Sequence, residues 1–129
     1  MASNSVTVVL PTYEEFESLP SLVEALLELR QDNLQALQLI IVDDNSNDGT
    51  EKLIEDMQFD WIRLIVRRDE RGLSSAVIHG LKEATTEVCV VMDADGSHPV
   101  STIPAMVQAV TDGADFAVGS RYVTGGTTE

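Results

Sequence analysis

Leu37-Gln38-Leu39-Ile40-Ile41-Val42-Asp43-Asp44, followed directly by Asn45-Ser46-Asn47-Asp48-Gly49-Thr50, decides the fold class. The run 37–42 is apolar almost without interruption, which predicts a strand covered on both faces, the kind found in parallel sheets. It ends abruptly in two carboxylates and a cluster of Asn, Ser, Asp and Gly, the residues that turn a chain. A helical stretch, 50–57, comes next. Strand, acidic end, turn, helix is the repeating unit of an α/β domain.

The unit recurs on both sides. Upstream, residues 6–10 read as a strand stopped by Pro11. Ser18 is placed to cap a helix whose first turn tolerates Pro20. Leu19, Leu22, Val23, Leu26, Leu27 and Arg30 then follow the helical period. Downstream, 61–66 reads as a third strand, and 74–84 as a helix from the placement of Ala76, Val77, Gly80, Leu81 and Ala84. A fourth strand, 88–92, ends in Asp93-Ala94-Asp95-Gly96. A helix over 103–110 and a fifth strand over 116–119 complete the series. Ligands of such sheets bind at the carboxyl ends of the strands. Pro11-Thr12-Tyr13, Asp43-Asp44, Arg67-Arg68 and Asp93-Ala94-Asp95 each follow a strand directly, so four strand ends converge on one edge.

The chain has 129 residues, 43% of them hydrophobic, which suits one domain over 1–129. A domain of this size buries roughly two-thirds of its unfolded surface. No apolar run approaches the ~20 residues of a membrane span. Met1-Ala2-Ser3-Asn4 lacks the basic and apolar segments of a secretory signal. A lone cysteine, Cys89, sits inside the apolar run 88–92 and reads as a buried strand residue. A reducing, cytoplasmic location is the expectation. Eight Lys and Arg against 22 Asp and Glu give a formal net charge of −14, which disfavours nucleic acid as a partner. A chain this acidic needs local positive charge to hold an anionic nucleotide, from a metal, an arginine or a helix N-terminus.

Asp93 and Asp95, one residue apart on a turning chain, can face the same cation. Mg²⁺ and Mn²⁺ prefer such oxygen donors and take one or two carboxylates plus substrate phosphates. The same residues also make an ordinary turn. A carboxylate at Asp43 can accept hydrogen bonds from a base or a ribose, whereas Asp44 or Asn45 can cap the following turn. We assign binding to Asp43 and a structural role to 45–49. Tyr13 can lie beside a base or be a packing residue. Glu14, Glu15 and Glu17 also read as a solvated helix start. Arg71-Gly72-Leu73-Ser74 opens a helix, but lacks the spacing of a P-loop or of a dinucleotide fingerprint. His79 and His98 carry no assigned chemistry. Arg121, past the fifth strand, can reach a diphosphate.

Together these strings resemble family 2 glycosyltransferases of the GT-A fold, and within them the dolichol-phosphate mannose synthases and related polyprenyl-phosphate glycosyltransferases. The resemblance rests on Leu10-Pro11-Thr12-Tyr13-Glu14-Glu15, on Ile41-Val42-Asp43-Asp44 with its turn to Thr50, on Arg71-Gly72-Leu73-Ser74-Ser75-Ala76, on Val91-Met92-Asp93-Ala94-Asp95 with His98-Pro99, and on Gly119-Ser120-Arg121-Tyr122. Their order spans residues 6–122.

It implies a Rossmann-like GT-A fold, a mostly parallel sheet with helices on both faces. The chain would be the N-terminal, nucleotide-sugar-binding part of a catalytic domain that in this family continues further. The expectation is a truncated chain that binds donor weakly and turns over poorly, with any membrane association carried by the remainder. Pro11, Tyr13 and Glu15 would line the nucleotide pocket, and Ile41 and Asp43 would contact base and ribose. Asp93, Ala94 and Asp95 would bind donor and metal, with Asp93 and Asp95 the catalytic ligands of Mg²⁺ or Mn²⁺. Arg121 would approach the phosphates or the sugar. Gly96 and Ser97 depart from the family's usual Leu-x between the acidic triplet and His-Pro, which loosens that loop. The implied activity is inverting, metal-dependent hexosyl transfer, of mannose or glucose, from GDP-mannose or UDP-glucose to a polyprenyl or dolichyl phosphate.

Three other readings stay open. They are a UDP-sugar enzyme of the same family acting on polysaccharide, a non-catalytic nucleotide-binding module, and a receiver-like signalling domain. The last needs an acidic pair after the first strand and a lysine after the fifth. Pro11-Thr12-Tyr13 and Arg121 stand at those places instead.

Overall fold

A computed structural model describes residues 6–13, 16–32, 36–45, 48–68, 72–86, 88–92 and 100–111. Four strands form one parallel sheet: β1 (Val6–Thr12), β2 (Leu37–Asp43), β3 (Ile62–Val66) and β4 (Val88–Val91), in the order β3-β2-β1-β4. Helices α1 (Leu19–Asp32), α2 (Thr50–Met57) and α3 (Leu73–Glu83) connect them, and a 3-10 turn, Val100–Thr102, leads into α4 (Ile103–Thr111). The expected fifth strand over 116–119 lies outside the described residues.

Alternation along the strands sorts the helices. Val6, Val8 and Leu10 of β1, Leu37, Leu39 and Ile41 of β2, and Val88 and Val90 of β4 point to one face. There they pack with Leu19, Leu22, Val23 and Leu26 of α1, Ile54 of α2, and Ile103 and Val107 of α4. Ile40 and Val42 point to the other face, against Ala76 of α3. Strand order reverses after β3, and the crossover helix changes face with it, as right-handed connections require. The order reverses between β1 and β4, and the carboxyl ends of strands at such a reversal are where open α/β sheets bind ligands.

Arg30 ties the end of α1 to the sheet. Its Nε donates to the Leu37 carbonyl at 2.9 Å, and its guanidinium lies 5.3 Å from the centre of the Trp61 ring. Gly80 brings α3 close to the sheet. A Cβ built there would lie 2.5 Å from Val9 Cγ1 and 3.2 Å from Val42 Cγ2. Gly80→Ala is therefore expected to destabilise the fold by about 1 kcal/mol or more, because overpacking a filled core outweighs alanine's better helix propensity. A lower urea midpoint at unchanged m-value is the outcome to measure.

Two expectations are corrected. Pro11 does not stop β1; the strand runs on through Thr12, with Pro11 opposite Val42. Val9 accepts from Met92 N–H on the β4 side and Thr12 accepts from Asp44 N–H on the β2 side. By alternation, the missing N–H of Pro11 faces the β4 side, where pairing ends at Val9↔Val91, so the proline limits the β4 ladder and leaves the β2 ladder whole. Cys89 is exposed rather than buried. Val88 and Val90 take the core face, so Cys89 points to the α3 face, and α3 packs over β1 and β2 rather than β4. Its sulfur is still partly desolvated, which pushes the thiol up despite a hydrogen bond with Thr86 that lowers it.

Candidate functional site at the carboxyl ends of the strands

The strand ends are stitched together by backbone bonds that the parallel register dictates. Asp44 N–H donates to the Thr12 carbonyl at 3.0 Å, and Arg67 N–H donates to the Asp43 carbonyl at 2.8 Å. Thr12 and Asp43 are register partners, and the Thr12 hydroxyl donates to Asp43 Oδ1 at 2.7 Å. The Asp43 carboxylate is 3% exposed, so its direction is set from within the protein. Burying a charged acceptor is tolerable only where donors reach it, and Thr12 supplies one.

Asp43 opens onto a cavity of about 360 Å³, also lined by Asn45, Gly49, Thr50, Glu51, Lys52, Glu55, Val66 and Arg68. Two cations and three carboxylates thus share one wall. Arg68 is exposed and reaches Asn45 Oδ1 at 3.2 Å and Glu51 Oε1 at 3.5 Å. Bonds this long on an exposed side chain are readily exchanged for a ligand's. The turn above is rigid: Asp48 Oδ1 accepts from both the amide and the hydroxyl of Thr50, at 3.2 and 2.7 Å. That agrees with a structural role for the described part of 45–49; Ser46 and Asn47 lie outside the described residues.

On the opposite face, Asp44 does something the sequence did not show. It caps α3 instead of the turn that follows it. Arg67 grips it with two bonds, Nε to Oδ1 at 2.7 Å and Nη2 to Oδ2 at 3.1 Å. Gly72 N–H also donates to Oδ2 at 3.0 Å. Arg67 further reaches the Gly72 carbonyl at 3.1 Å and Ser75 Oγ at 3.0 Å. Gly72 sits at φ 120°, a conformation that only glycine adopts at low cost, and this aims its N–H back at Asp44. One of the free amides at the N-terminus of α3, that of Gly72, is thereby satisfied by a carboxylate.

Among the expected binding residues, Pro11, Ile41 and Asp43 are buried and Tyr13 is 45% exposed just past β1. Pro11 and Tyr13 flank Thr12, the register partner of Asp43, so these three positions share one edge. Ile41 is wholly within the core. Glu15, Asp93, Ala94, Asp95 and Arg121 lie outside the described residues, as do Glu14, Arg71 and His98. The chain enters the acidic triplet from this same edge, because Met92 N–H donates to the Val9 carbonyl at 3.2 Å. Among the described residues, no group of three or more His, Cys, Asp or Glu is arranged to hold a metal, and no helix is long and apolar enough to cross a membrane. His79 lines a separate open cavity of about 410 Å³ with Ser75, Ile78, Lys82 and Glu83. The Thr12–Asp43 bond and the Asp44–Arg67 pair are not legible in the sequence. The signal for Thr12 is its place opposite Asp43, which requires the register.

The sequence matches the family model described as glycosyl transferase family 2 over residues 7–129. It is 45% identical over 128 residues to a dolichol-phosphate mannosyltransferase of Pyrococcus furiosus, covering 96% of this chain and 35% of that one. A polyprenol monophosphomannose synthase of Mycolicibacterium smegmatis is 36% identical, with coverage of 93% and 46%. The chain thus spans less than half the length of these relatives. Among solved structures, a Pyrobaculum calidifontis mannosyltransferase in complex with GDP-Man and Mn²⁺ superposes with a TM-score of 0.65. It is 28% identical, over 78% of this chain and 30% of that one. A Mycobacterium tuberculosis glucosyl-3-phosphoglycerate synthase shares the fold with a TM-score of 0.68 at 23% identity, over 84% of this chain and 40% of that one.

Proposed function

Because this chain belongs to glycosyl transferase family 2, we propose that it is the donor-binding part of a hexosyltransferase that uses a nucleoside-diphosphate sugar and a polyprenyl or dolichyl phosphate. The observation that carries the reading is the cavity of about 360 Å³ at the ends of β2 and β3, with the Asp43 carboxylate held in its wall by Thr12. A fixed carboxylate in a cavity of this size suits a nucleoside. The relatives named dolichol-phosphate mannosyltransferase and polyprenol monophosphomannose synthase favour mannose and a polyprenyl phosphate, and the neighbour bound to GDP-Man favours GDP-mannose as donor.

In this reading Asp43 accepts hydrogen bonds from base or ribose, while Pro11, Tyr13 and Glu15 line the nucleotide. Ile41, expected to contact base or ribose beside it, has its side chain in the core at 0% exposure. The diphosphate lies toward β4, where strand order reverses. Asp93 and Asp95, next in the chain after Met92, carry hard oxygen donors of the kind that fit Mg²⁺ or Mn²⁺; Ala94 and Arg121 would complete the donor contacts. When bound, the cation neutralises charge on the departing diphosphate. An acceptor phosphate is already anionic near neutral pH and needs no general base to attack the anomeric carbon. Displacement from the face opposite the leaving group inverts that carbon. Such an acceptor places the reaction at a membrane surface, and we assign it to the cytoplasmic side.

Calorimetric titration with GDP and UDP, in Mn²⁺, tests the reading. GDP is expected to bind. Asp43→Ala is expected to weaken it at least tenfold, in keeping with the ~1.5–3 kcal/mol of a hydrogen bond to a charged group. Absence of binding by either nucleotide, or wild-type affinity in Asp43→Ala, would overturn it.

A further inference from the structure

The Asp44–Arg67 pair lies on the face of the sheet opposite the cavity, yet it is anchored to the same peptide unit. The peptide linking Asp43 to Asp44 is clamped at both ends: its carbonyl accepts from Arg67 N–H, and its N–H donates to the Thr12 carbonyl. One residue later the chain leaves the sheet through Asn45, in the left-handed region at φ 57°. The direction of the Asp43 carboxylate therefore depends on how firmly this short exit is held. Thr12 holds the side chain, and the guanidinium of Arg67 holds the exit, through a two-pronged grip on Asp44 that also fastens Gly72 and Ser75.

The pair is deeply buried, with Arg67 at 5% and Asp44 at 7% exposed. Buried ion pairs add little net stability over apolar residues of similar volume, and their best-attested service is to fix geometry. The pair also has an electrostatic consequence. Asp43 and Asp44 are adjacent carboxylates, and Arg67 neutralises the second. Asp44 therefore adds no net charge to that of Asp43, Glu51 and Glu55, the carboxylates that line the cavity.

Resting on the nucleotide-binding reading above, we propose that Arg67 and Asp44 are positioning residues for the donor nucleoside: they set the exit of β2 so that Asp43 meets the ligand's hydrogen-bond donors. Neither touches the ligand. Their effect on affinity passes through Asp43.

The test is titration of the 129-residue chain with GDP in Mn²⁺, at a temperature where every variant is folded by circular dichroism. Arg67→Lys keeps the charge and removes the two-pronged geometry. It is expected to weaken GDP binding about tenfold, roughly 1.4 kcal/mol. Leu26→Val, a cavity in the α1 core, lowers the melting temperature but is expected to leave GDP affinity unchanged, which separates positioning from general destabilisation. Should Arg67→Lys fail to fold, the apolar double variant Asp44→Leu with Arg67→Met decides; it is expected to fold and to bind GDP at least tenfold more weakly. Wild-type affinity in either folded Arg67 variant overturns the positioning role while leaving the proposed function intact. If the wild-type chain binds neither GDP nor UDP, the proposed function falls and this inference with it.

Discussion

Asp44→Ala is expected to lower the unfolding free energy by about 3–5 kcal/mol, a large share of the ~5–15 kcal/mol that holds a typical domain folded. The reason is what remains behind. The Arg67 side chain is 3% exposed, so without Asp44 its guanidinium is a buried charge that has lost its carboxylate while keeping neutral contacts at Gly72 O and Ser75 Oγ. Gly72 N–H loses its acceptor at the same time, but Gly72 is exposed and water can take the place of the carboxylate, so the loss is carried by the guanidinium. Guanidinium chloride unfolding followed by circular dichroism measures the loss. The contrast is Lys52–Asp56 on α2, a pair at 3.5 Å with both side chains mostly exposed. Asp56→Ala is expected to cost less than about 1 kcal/mol. Equal losses at the two sites would show that Asp44 and Arg67 are not the buried clasp described above.

The clasp also shows where sequence reading stops. The apolar runs 37–42 and 88–92 announce strands, and the helical period of Leu19, Leu22, Val23 and Leu26 announces α1, because one-dimensional patterns record burial. The Asp43-Asp44 pair likewise announces a strand end. What one dimension does not record is which carboxylate faces which side of the sheet. Asp43 continues the row of Leu39 and Ile41 toward the α2 side and the cavity. Asp44 falls on the row of Ile40 and Val42, beneath α3. Arg67 and Arg68 divide in the same way, one buried on Asp44 and one exposed at the cavity rim. As bare neighbours in sequence they are indistinguishable. Cys89 is the opposite case: an apolar run implied cover on both faces, but the reach of α3 was not written in it. Proline breaks ladders, and only the register shows that the missing N–H of Pro11 faces β4, so that pairing with β2 continues through Thr12.

Removing the paired carboxylates by Asp93→Ala/Asp95→Ala is expected to reduce GDP affinity in Mn²⁺ by on the order of 100-fold, about 2.7 kcal/mol. Eight basic residues stand against 22 acidic ones, so a nucleoside diphosphate approaches a protein of its own sign. Asp43 can recognise the neutral nucleoside but only repels the diphosphate. Of the nearer cations, Arg67 is taken up by Asp44, and the exposed Arg68 and Lys52 lie at the cavity beside β2 and β3 rather than toward β4. A divalent ion on Asp93 and Asp95 reverses the local sign where the phosphates lie. Two consequences separate this from a general loss of structure. EDTA added to the wild-type chain is expected to reproduce the variant's loss, and Mn²⁺ is expected to have no effect on the variant. Guanosine, which has no phosphate, is expected to bind wild type and variant alike, because its contacts are at Asp43. Unchanged GDP affinity after chelation would remove the metal from donor binding, and an equal loss for guanosine would place the damage in the fold rather than at the diphosphate.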